Sequence, residues 1–442
     1  MRAAWQSWLY ALLCVVIAAC LAALSAHFGF TADWSAGARA TITPQSQSLL
    51  QQLKGPLEMT SYARPGTLRT KTSLLIDRYK RFKHDIALKF VDPDLDPIAT
   101  QDANITADGQ LVLTWKGRTQ QVTQLDEQGF SDALVRLARG GNKLVAFITG
   151  DGERDANGKN PADLGVFVQR LSLRGVRALP LNLAEAAEVP RNANLVVLAS
   201  PQAALLPSSV QKLEDYVADG GNLLWLTEPG GDDLGLAPLA QALGIKRLPG
   251  MLLDTQSTSA FGDPRMLVAT HYPLQTITDD FNINTLFPRA AALAALSGAA
   301  WNVQPILQSS ARSWNQAAPV DPAQAAFDPN SNELKGPLTF GYALSRLSPS
   351  PDRNQQRVVV IGDGDFLSNA YLADAGNLAF GERVCDWLLG DDALASVTQA
   401  APDTALKPTR VQLGVLTFGY LIALPIILIL VGLAISWHRR RR

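Results

Sequence analysis

K-L-V-A-F-I-T-G-D-G-E-R, residues 143–154, is the stretch on which the fold turns. Lys143 to Thr149 reads as a continuous apolar strand without alternation, and it runs into a glycine turn carrying Asp151, Glu153 and Arg154. A strand apolar on both faces is covered on both faces, as in parallel sheets whose crossover helices pack on either side. The rhythm continues downstream. Leu164, Phe167, Val168 and Leu171 fall at helical spacing, Val176 to Leu181 reads as a strand, and Leu195 to Ala199 is another apolar strand. Val210, Leu213 and Val217 mark a second helix, stopped by Gly220 and Gly221 before a strand at Leu223 to Thr227. Alternating strand and helix predicts an α/β fold with a flavodoxin-like, doubly wound parallel sheet. A strand at Arg357 to Ile361 and a helix carrying Phe380, Val384, Trp387 and Leu388 are expected to rejoin it. Between them, 250–340 reads as a mixed insertion broken by Pro, Asn and Gln. Its part from Ala317 to Pro337, with Pro319, Pro322, Pro329 and Pro337, reads as an exposed loop.

Upstream lies a smaller α/β unit. A strand at Leu57 to Thr60, a helix at Thr70 to Phe82 and a strand at Ile86 to Val91 precede a hairpin, Leu111 to Trp115 and Thr119 to Thr123, turning at Lys116 and Gly117. An amphipathic helix with Phe130, Leu134 and Leu137 on one face closes it. The expected divisions are 1–30, 31–140, 141–400 and 401–442.

Both ends carry apolar runs, Leu9 to Leu24 and Leu413 to Ile435. The second is long enough to span a bilayer, which takes about 20 mostly apolar residues. It ends in Trp437, His438 and Arg439 to Arg442, an aromatic and basic cluster that marks a cytoplasmic face. Arg2, Trp5, Trp8 and Tyr10 place the first run in the same orientation. The expectation is a two-pass protein of a bacterial inner membrane, with cytoplasmic termini, a large periplasmic part and the lipid bilayer as a partner. Ile17 to Cys20 also spells a lipobox, so a cleaved or lipidated signal stays open beside the anchor. Apolar residues continue past Cys20 to Leu24, which favours the anchor.

The 442 residues are 47% hydrophobic and 18% charged, with a formal net charge of −1. That balance, with no basic stripe, argues against nucleic acid. Of the three cysteines, Cys14 and Cys20 lie in the first apolar run, leaving Cys385 without a disulfide partner in the periplasmic part. Cys385 sits beside Val384 and near Trp387, where packing explains it better than catalysis.

In an open parallel sheet the ligand crevice lies beyond the carboxyl ends of the strands. The loops there are 149–154, 200–201, 228–231 and 362–369, and they carry Asp151, Glu153, Arg154, Glu228, Asp363 and Asp365 as candidate ligand-binding residues. Turn and cap chemistry accounts for Asp and Gly at such positions equally well. F-V-D-P-D-L-D-P, 90–97, mimics a calcium loop but has Pro97 where Gly is needed and Ala103 where Glu is needed, so it reads as a strand exit with proline-set turns. His27, His84, His271 and His438 are scattered and no Cys pair joins them, so no zinc site is expected. No G-x-S-x-G elbow is present, and the strand at 195–199 is expected to leave through Ser200 and Pro201 without a strained, glycine-flanked turn. No G-x-x-x-x-G-K-[ST] loop exists, so any ATP hydrolysis by that route belongs to a partner. No catalytic residue, metal or cofactor is expected.

T-P-Q-S-Q-S-L-L-Q-Q-L-K (43–54), V-D-P-D (91–94), residues 143–153, V-A-D-G-G-N-L-L-W-L-T-E-P (217–229) and V-V-V-I-G-D-G-D-F-L-S-N (358–369) together resemble the GldG-like family. These are auxiliary, substrate-binding-like components of ABC transport systems, named for gliding motility. The middle part is similar to GIFT and ThuA-like relatives of class I glutamine amidotransferases, which implies a flavodoxin-like sheet without the amidotransferase nucleophile. The family pattern has His where this chain has Asp151. The resemblance implies a non-enzymatic, membrane-anchored subunit with an ABC permease and its ATPase as partners. Two other readings stand beside it. An envelope hydrolase or amidotransferase-like enzyme requires Asp151, Glu153, Asp363 and Asp365 to converge on a metal, and a structural scaffold requires no concave pocket.

Overall fold

The computed structural model describes residues 42–392 apart from 123, 231, 299, 318–324 and 352–353. The two terminal apolar runs lie outside the described residues. Within those residues no helix is long and apolar enough to cross a membrane.

The chain begins with α1 (Pro44–Gln52), β1 (Leu57–Tyr62), α2 (Thr67–Lys80), β2 (Ile86–Val91), α3 (Pro97–Asp102), β3 (Gln110–Trp115), β4 (Arg118–Val122) and α4 (Glu127–Arg139). The four strands form one sheet in the order β2-β1-β3-β4, with β1 parallel to β2 and antiparallel to β3. The expected hairpin pairs Leu111 with Val122 and Trp115 with Arg118. Helix α2 begins at Thr67, directly after Gly66, earlier than the expected Thr70. The proline-set turn expected after Val91 is present at 93–95, and a short helix follows it from Pro97. Asp96 caps α3, its carboxylate accepting from the Ala99 amide at 3.0 Å, and Pro97 fits the first turn because no N–H is needed there. Phe130, Leu134 and Leu137 of α4 are fully buried, and Phe130 meets the Tyr79 ring at 4.1 Å between centroids.

The next elements are β5 (Lys143–Thr149), α5 (Gly165–Leu173), β6 (Val176–Asn182), β7 (Leu195–Ala199), α6 (Pro207–Ala218), β8 (Leu223–Leu226) and α7 (Ala237–Leu243). Short elements follow: β9 (Ile245–Arg247), β10 (Met251–Asp254), α8 (Thr255–Phe261), β11 (Met266–Ala269), β12 (Thr285–Pro288) and β13 (Leu293–Ala295). The chain closes with β14 (Asn302–Gln308), β15 (Ser313–Gln316), β16 (Thr339–Leu347), β17 (Gln355–Ile361) and α9 (Asn377–Leu388). A seven-stranded sheet runs β14-β16-β17-β8-β7-β5-β6. From β17 to β6 all neighbours are parallel, whereas β14, β16 and β17 pair antiparallel. Numbered along the chain, the parallel strands take the order 2-1-3-4-5, so the winding direction reverses between β5 and β7.

Each central strand feeds two cores. Val145 and Phe147, Leu195 and Val197, Leu224 and Leu226, and Val359 and Ile361 face one side. Ala146 and Ile148, Val196 and Leu198, Leu223 and Trp225, and Val358 and Val360 face the other. That is why these strands show no polar alternation. The edge strands carry Pro180 and Pro305, which remove donors where an unpaired ladder invites further pairing. Within 250–340, which lies in the chain between the neighbouring strands β8 and β17, β14 and the start of β16 extend the main sheet, while β10–β15 and β11–β12 form small ribbons. Residues 325–338 hold no helix or strand beyond an isolated bridge at Lys335, and 318–324 lie outside the described residues.

The two sheets belong to one compact unit. Their seam is ionic. Arg139 and Asp132 of α4 face α5 and α9: Arg170 pairs with Asp132 at 2.7 Å and with Glu382 at 2.8 Å. Arg174 pairs with Glu382 at 3.1 Å and Asp386 at 2.6 Å, and Arg139 pairs with Asp386 and Asp391. Arg174, Glu382 and Asp386 are nearly inaccessible. Removing one partner of a buried pair leaves a desolvated charge behind and costs about 3–5 kcal/mol. Arg174→Met is therefore expected to lower unfolding free energy by about that amount in urea titrations, while a loss under about 1 kcal/mol would show that the seam carries little.

Candidate functional site

Four parallel strands end at one place. β5 leads through Gly150, at φ +125°, into the loop bearing Asp151, Glu153 and Arg154. The Arg154 amide donates to the Ala199 carbonyl at the end of β7, at 3.0 Å, which fixes this loop over the point where the strand order reverses. β8 delivers Glu228 and β17 delivers Asp363 and Asp365.

Arg154 ties them together. Its Nη2 donates to Glu228 Oε1 and to Asp365 Oδ1, each at 2.7 Å, and its Nη1 to the Ala162 carbonyl at 2.8 Å. Burial opposes the Arg154 charge, but the two carboxylates outweigh it and raise its pKa. Asp365 Oδ2 accepts from Arg289 Nη2 at 2.6 Å, so one carboxylate bridges two guanidiniums. That hydrogen bond also raises the pKa of Arg289. Glu228 Oε1 also accepts from the Gly364 amide at 3.3 Å. Asp363 lies beneath this cluster, inaccessible to solvent, with Oδ1 accepting from the Phe366 amide. Burial first, then the neighbouring Glu228 and Asp365 charges, push its pKa well up, so its protonated form is favoured.

A cavity of about 450 Å³ opens against this cluster, lined among others by Glu153, Arg154, Asp163, Glu228, Arg289 and Asp365. Arg154, Glu228 and Asp365 are in direct contact, and Asp363 is packed behind them. Glu153 lines the cavity, its pKa raised by burial, with Oε2 accepting from the Asp151 amide at 2.8 Å. Asp151 does not line the cavity. Its carbonyl accepts from the Gln202 and Ala203 amides and anchors the loop after β7. Among the described residues no group of three His, Cys, Asp or Glu side chains is arranged to hold a metal ion.

The exit from β7 corrects the sequence reading. Ser200 has φ +53°, a strained left-handed conformation for a residue with a Cβ, although no glycine flanks it. The chain must turn sharply there while the Ser200 amide donates to the Leu226 carbonyl. A Cβ added to Gly364 would lie 2.0 Å from Ser200 Oγ and 3.1 Å from Arg154 Nε, so only glycine fits between the ends of β7 and β17. Arg289, which follows β12, also has positive φ, at +62°. Sequence reasoning missed Arg289 and Gly364, and it passed over Ser200. Their signal is long-range contact, not motif. Arg154 Nε, Ser200 Oγ, Glu153 Oε1 and Asp363 Oδ2 are buried and meet no hydrogen-bond partner among the described residues.

Beyond Gln202, Glu228 and Pro229, which line both, lies a larger cavity of about 940 Å³ under α7. Trp225, Leu236, Ile245, Leu293 and Val360 form its apolar part. Cys385 is distant in role: burial first, then Asp386, pushes its thiol up to about 12, far from a reactive thiolate.

A family model described as "ABC-type uncharacterized transport system", for auxiliary components, matches residues 142–385. No curated protein matches the chain. Among solved structures, the mmIFT52 N-terminal domain is 15% identical, with 55% of this chain and 97% of that one covered at a TM-score of 0.42. A ThuA-like protein from Bacteroides uniformis is 10% identical, with 59% and 92% covered at a TM-score of 0.29. Mitochondrial thioredoxin 3 from Saccharomyces cerevisiae is 13% identical, with 23% and 97% covered at a TM-score of 0.17.

Two outcomes follow from this geometry. Because the folded state holds the Asp363 proton above the usual carboxylate range, it binds more protons than the unfolded chain there, and stability falls as pH rises from about 4. Asp363→Asn removes that term, so its gain in urea midpoint over the wild type should grow with pH; parallel curves would assign Asp363 an ordinary pKa. Gly364→Ala should cost about 1–3 kcal/mol by overpacking, and adding Ser200→Gly should recover part of it, which a double-mutant cycle measures.

Proposed function

The chain belongs to the ABC-type transport-system auxiliary family, and from that premise we propose that it is a non-enzymatic subunit reporting a bound ligand to an ABC permease and its ATPase. The runs 9–24 and 413–435 anchor it in the bacterial inner membrane with both termini in the cytoplasm. Residues between them lie in the periplasm, and two anchors hold both ends of that part at the bilayer, where movement reaches neighbouring helices.

The observation that carries the ligand role is the cavity at the reversal of strand order, walled by the Arg154, Glu228, Asp365 and Arg289 network. Ligands of open α/β sheets bind at that position. The charged groups of the site are tied to one another, with Glu228 and Asp365 both on Arg154 and Asp365 also on Arg289, a fixed wall that supports the reading of a holding site. A pure scaffold has no use for two concave chambers meeting at one charged wall.

The full chain, extracted in mild detergent, should bring down an ATPase and a multi-span permease. Repeated isolation without either would overturn the transport role. A phosphatase reporter inserted within 325–333 should be active, because that enzyme matures only outside the cytoplasm; activity confined to cytoplasmic reporters at the same point would reverse the topology.

A further inference from the structure

The small sheet is electrically polar along its strands. Leu57 pairs with Ile86, Glu58 with Thr114 and Trp115 with Arg118, so the starts of β1, β2 and β4 and the end of β3 form one row across the sheet. The turns beside that row carry Lys54, Lys80, Arg81, Lys83, Lys116 and Arg118. The acids there, Asp85 and Glu58, are taken by Lys83 at 2.8 Å and by Lys89 at 3.8 Å. Arg78 and Asp77, on the last turn of α2, offset each other in charge. Lys54, Arg81, Lys116 and Arg118 are exposed, and neither they nor Lys80 meet a carboxylate among the described residues. At the other ends of the strands the sign reverses. Asp92, Asp94, Asp96, Asp102, Asp108 and Asp126 outnumber Arg64, Arg69 and Lys71 there, and Arg64 is paired with Asp94 and Asp108.

The basic end is also where the chain departs. A Cβ on Gly140 would run into the Arg118 guanidinium, which puts the end of α4 beside this face. Arg139, one residue earlier, holds Asp391. Residues 393–412 then separate this point from the apolar run that starts at Leu413. Thr43 enters at the acidic end, where its amide donates to Glu127. Residues 25–41 reach at most about 60 Å when extended, ample for the length of α4, about 20 Å, so one orientation serves both ends. Phe82, 38% exposed, stands between Arg81 and Lys83, and Lys116 Nζ lies 4.5 Å from the Trp115 ring centre. Cations around a part-exposed aromatic suit an anionic headgroup layer, and opposite signs at the two ends turn one toward it and the other away. We propose that the basic end of the small sheet rests on the anionic phospholipid headgroups of the bilayer that anchors the chain. A soluble polyanion would meet the same charges, but the site of chain departure favours the membrane.

This docking face rests on the two-anchor reading, and the test separates them. The full chain is placed in nanodiscs of phosphatidylcholine alone or with about 40% phosphatidylglycerol, and lysine acetylation rates are read by mass spectrometry. Lys54, Lys80 and Lys116 should react about threefold more slowly in the anionic discs at low salt and recover at about 0.5 M NaCl, where screening shortens the reach of exposed charges. Lys71, at the acidic end, and Lys159, on the loop after β5, should not change. Arg81→Glu combined with Arg118→Glu, both on exposed turns, should remove the slowing at Lys54 and Lys116 with unchanged circular dichroism; the lipid and salt comparison on the wild type stands whether or not that variant folds. Equal rates in both discs, slowing of all five lysines alike, or slowing that survives high salt each overturns the proposal. Slowing by added DNA or polyglutamate in neutral discs, without slowing by phosphatidylglycerol, would assign the face to a soluble polyanion and overturn it as well. Disc-bound chain without slowing overturns the docking face alone, whereas a chain that enters neither disc overturns the anchors and the face with them.

Discussion

Asp365, held between two guanidiniums, keeps the crevice in shape. Arg154 comes from the loop after β5, Glu228 from the end of β8, Asp365 from beyond β17 and Arg289 from beyond β12. Neutral hydrogen bonds would not tie four separate loops together around open space. A guanidinium can, because its planar fork reaches two carboxylates and a carbonyl at once, and a buried carboxylate needs a cation to stay ionised there. Asp363 completes the balance. Close to Glu228 and Asp365 and away from solvent, it favours its neutral form, so the cluster does not accumulate uncompensated negative charge.

Part of the backbone strain falls at the same place. Of the seven described non-glycine residues with positive φ, Ser200, Leu234 and Arg289 belong to segments that border the cavities or the strand ends beneath them, while Asn104, Lys116, Asp280 and Ala375 lie elsewhere. Such conformations persist only where surrounding contacts enforce them. Here the enforcing contacts are the ladder of β7 with β8, the Leu205 amide on the Leu234 carbonyl, and the Arg289 amide on the Arg265 carbonyl. The unpaired buried atoms at Arg154, Ser200 and Asp363 fall in the same few residues. At the seam between the two sheets every one of the buried charges has an ionic partner, although Arg174 Nε meets no acceptor among the described residues. Arg139, Arg170 and Arg174 stand against Asp132, Glu382, Asp386 and Asp391, which makes the smaller sheet a fixed extension of the larger one through α4.

Much of this was legible in the residues. Apolar runs without alternation at 144–148, 195–199 and 223–226 pointed to a parallel sheet covered on both faces, because only burial on both sides makes such strands stable. Gly, Asp and Glu after those runs marked the loops that form the crevice, since sheet geometry places every such loop at one end. Helix α5 was legible only from its hydrophobic spacing, because Leu164 precedes it and offers no side-chain cap to announce the start. Periodicity also found the hairpin and α4, whose patterns are local.

Other features left no trace along the chain. Nothing near Arg289 announces that a ribbon of β11 and β12 carries it to Asp365, and nothing in S-P announces a left-handed serine. That β14 and β16 join the main sheet was not legible in the segment 250–340, because antiparallel edge pairing leaves no local mark. The residues alone were enough for the sheet, its parallel core and the loops that face the crevice, because those depend on side-chain burial with periods of two and about 3.6 residues. Which charges meet, which carboxyl favours its neutral form and where open space remains emerged only on folding, because they depend on distances between strand ends that no spacing along the chain encodes.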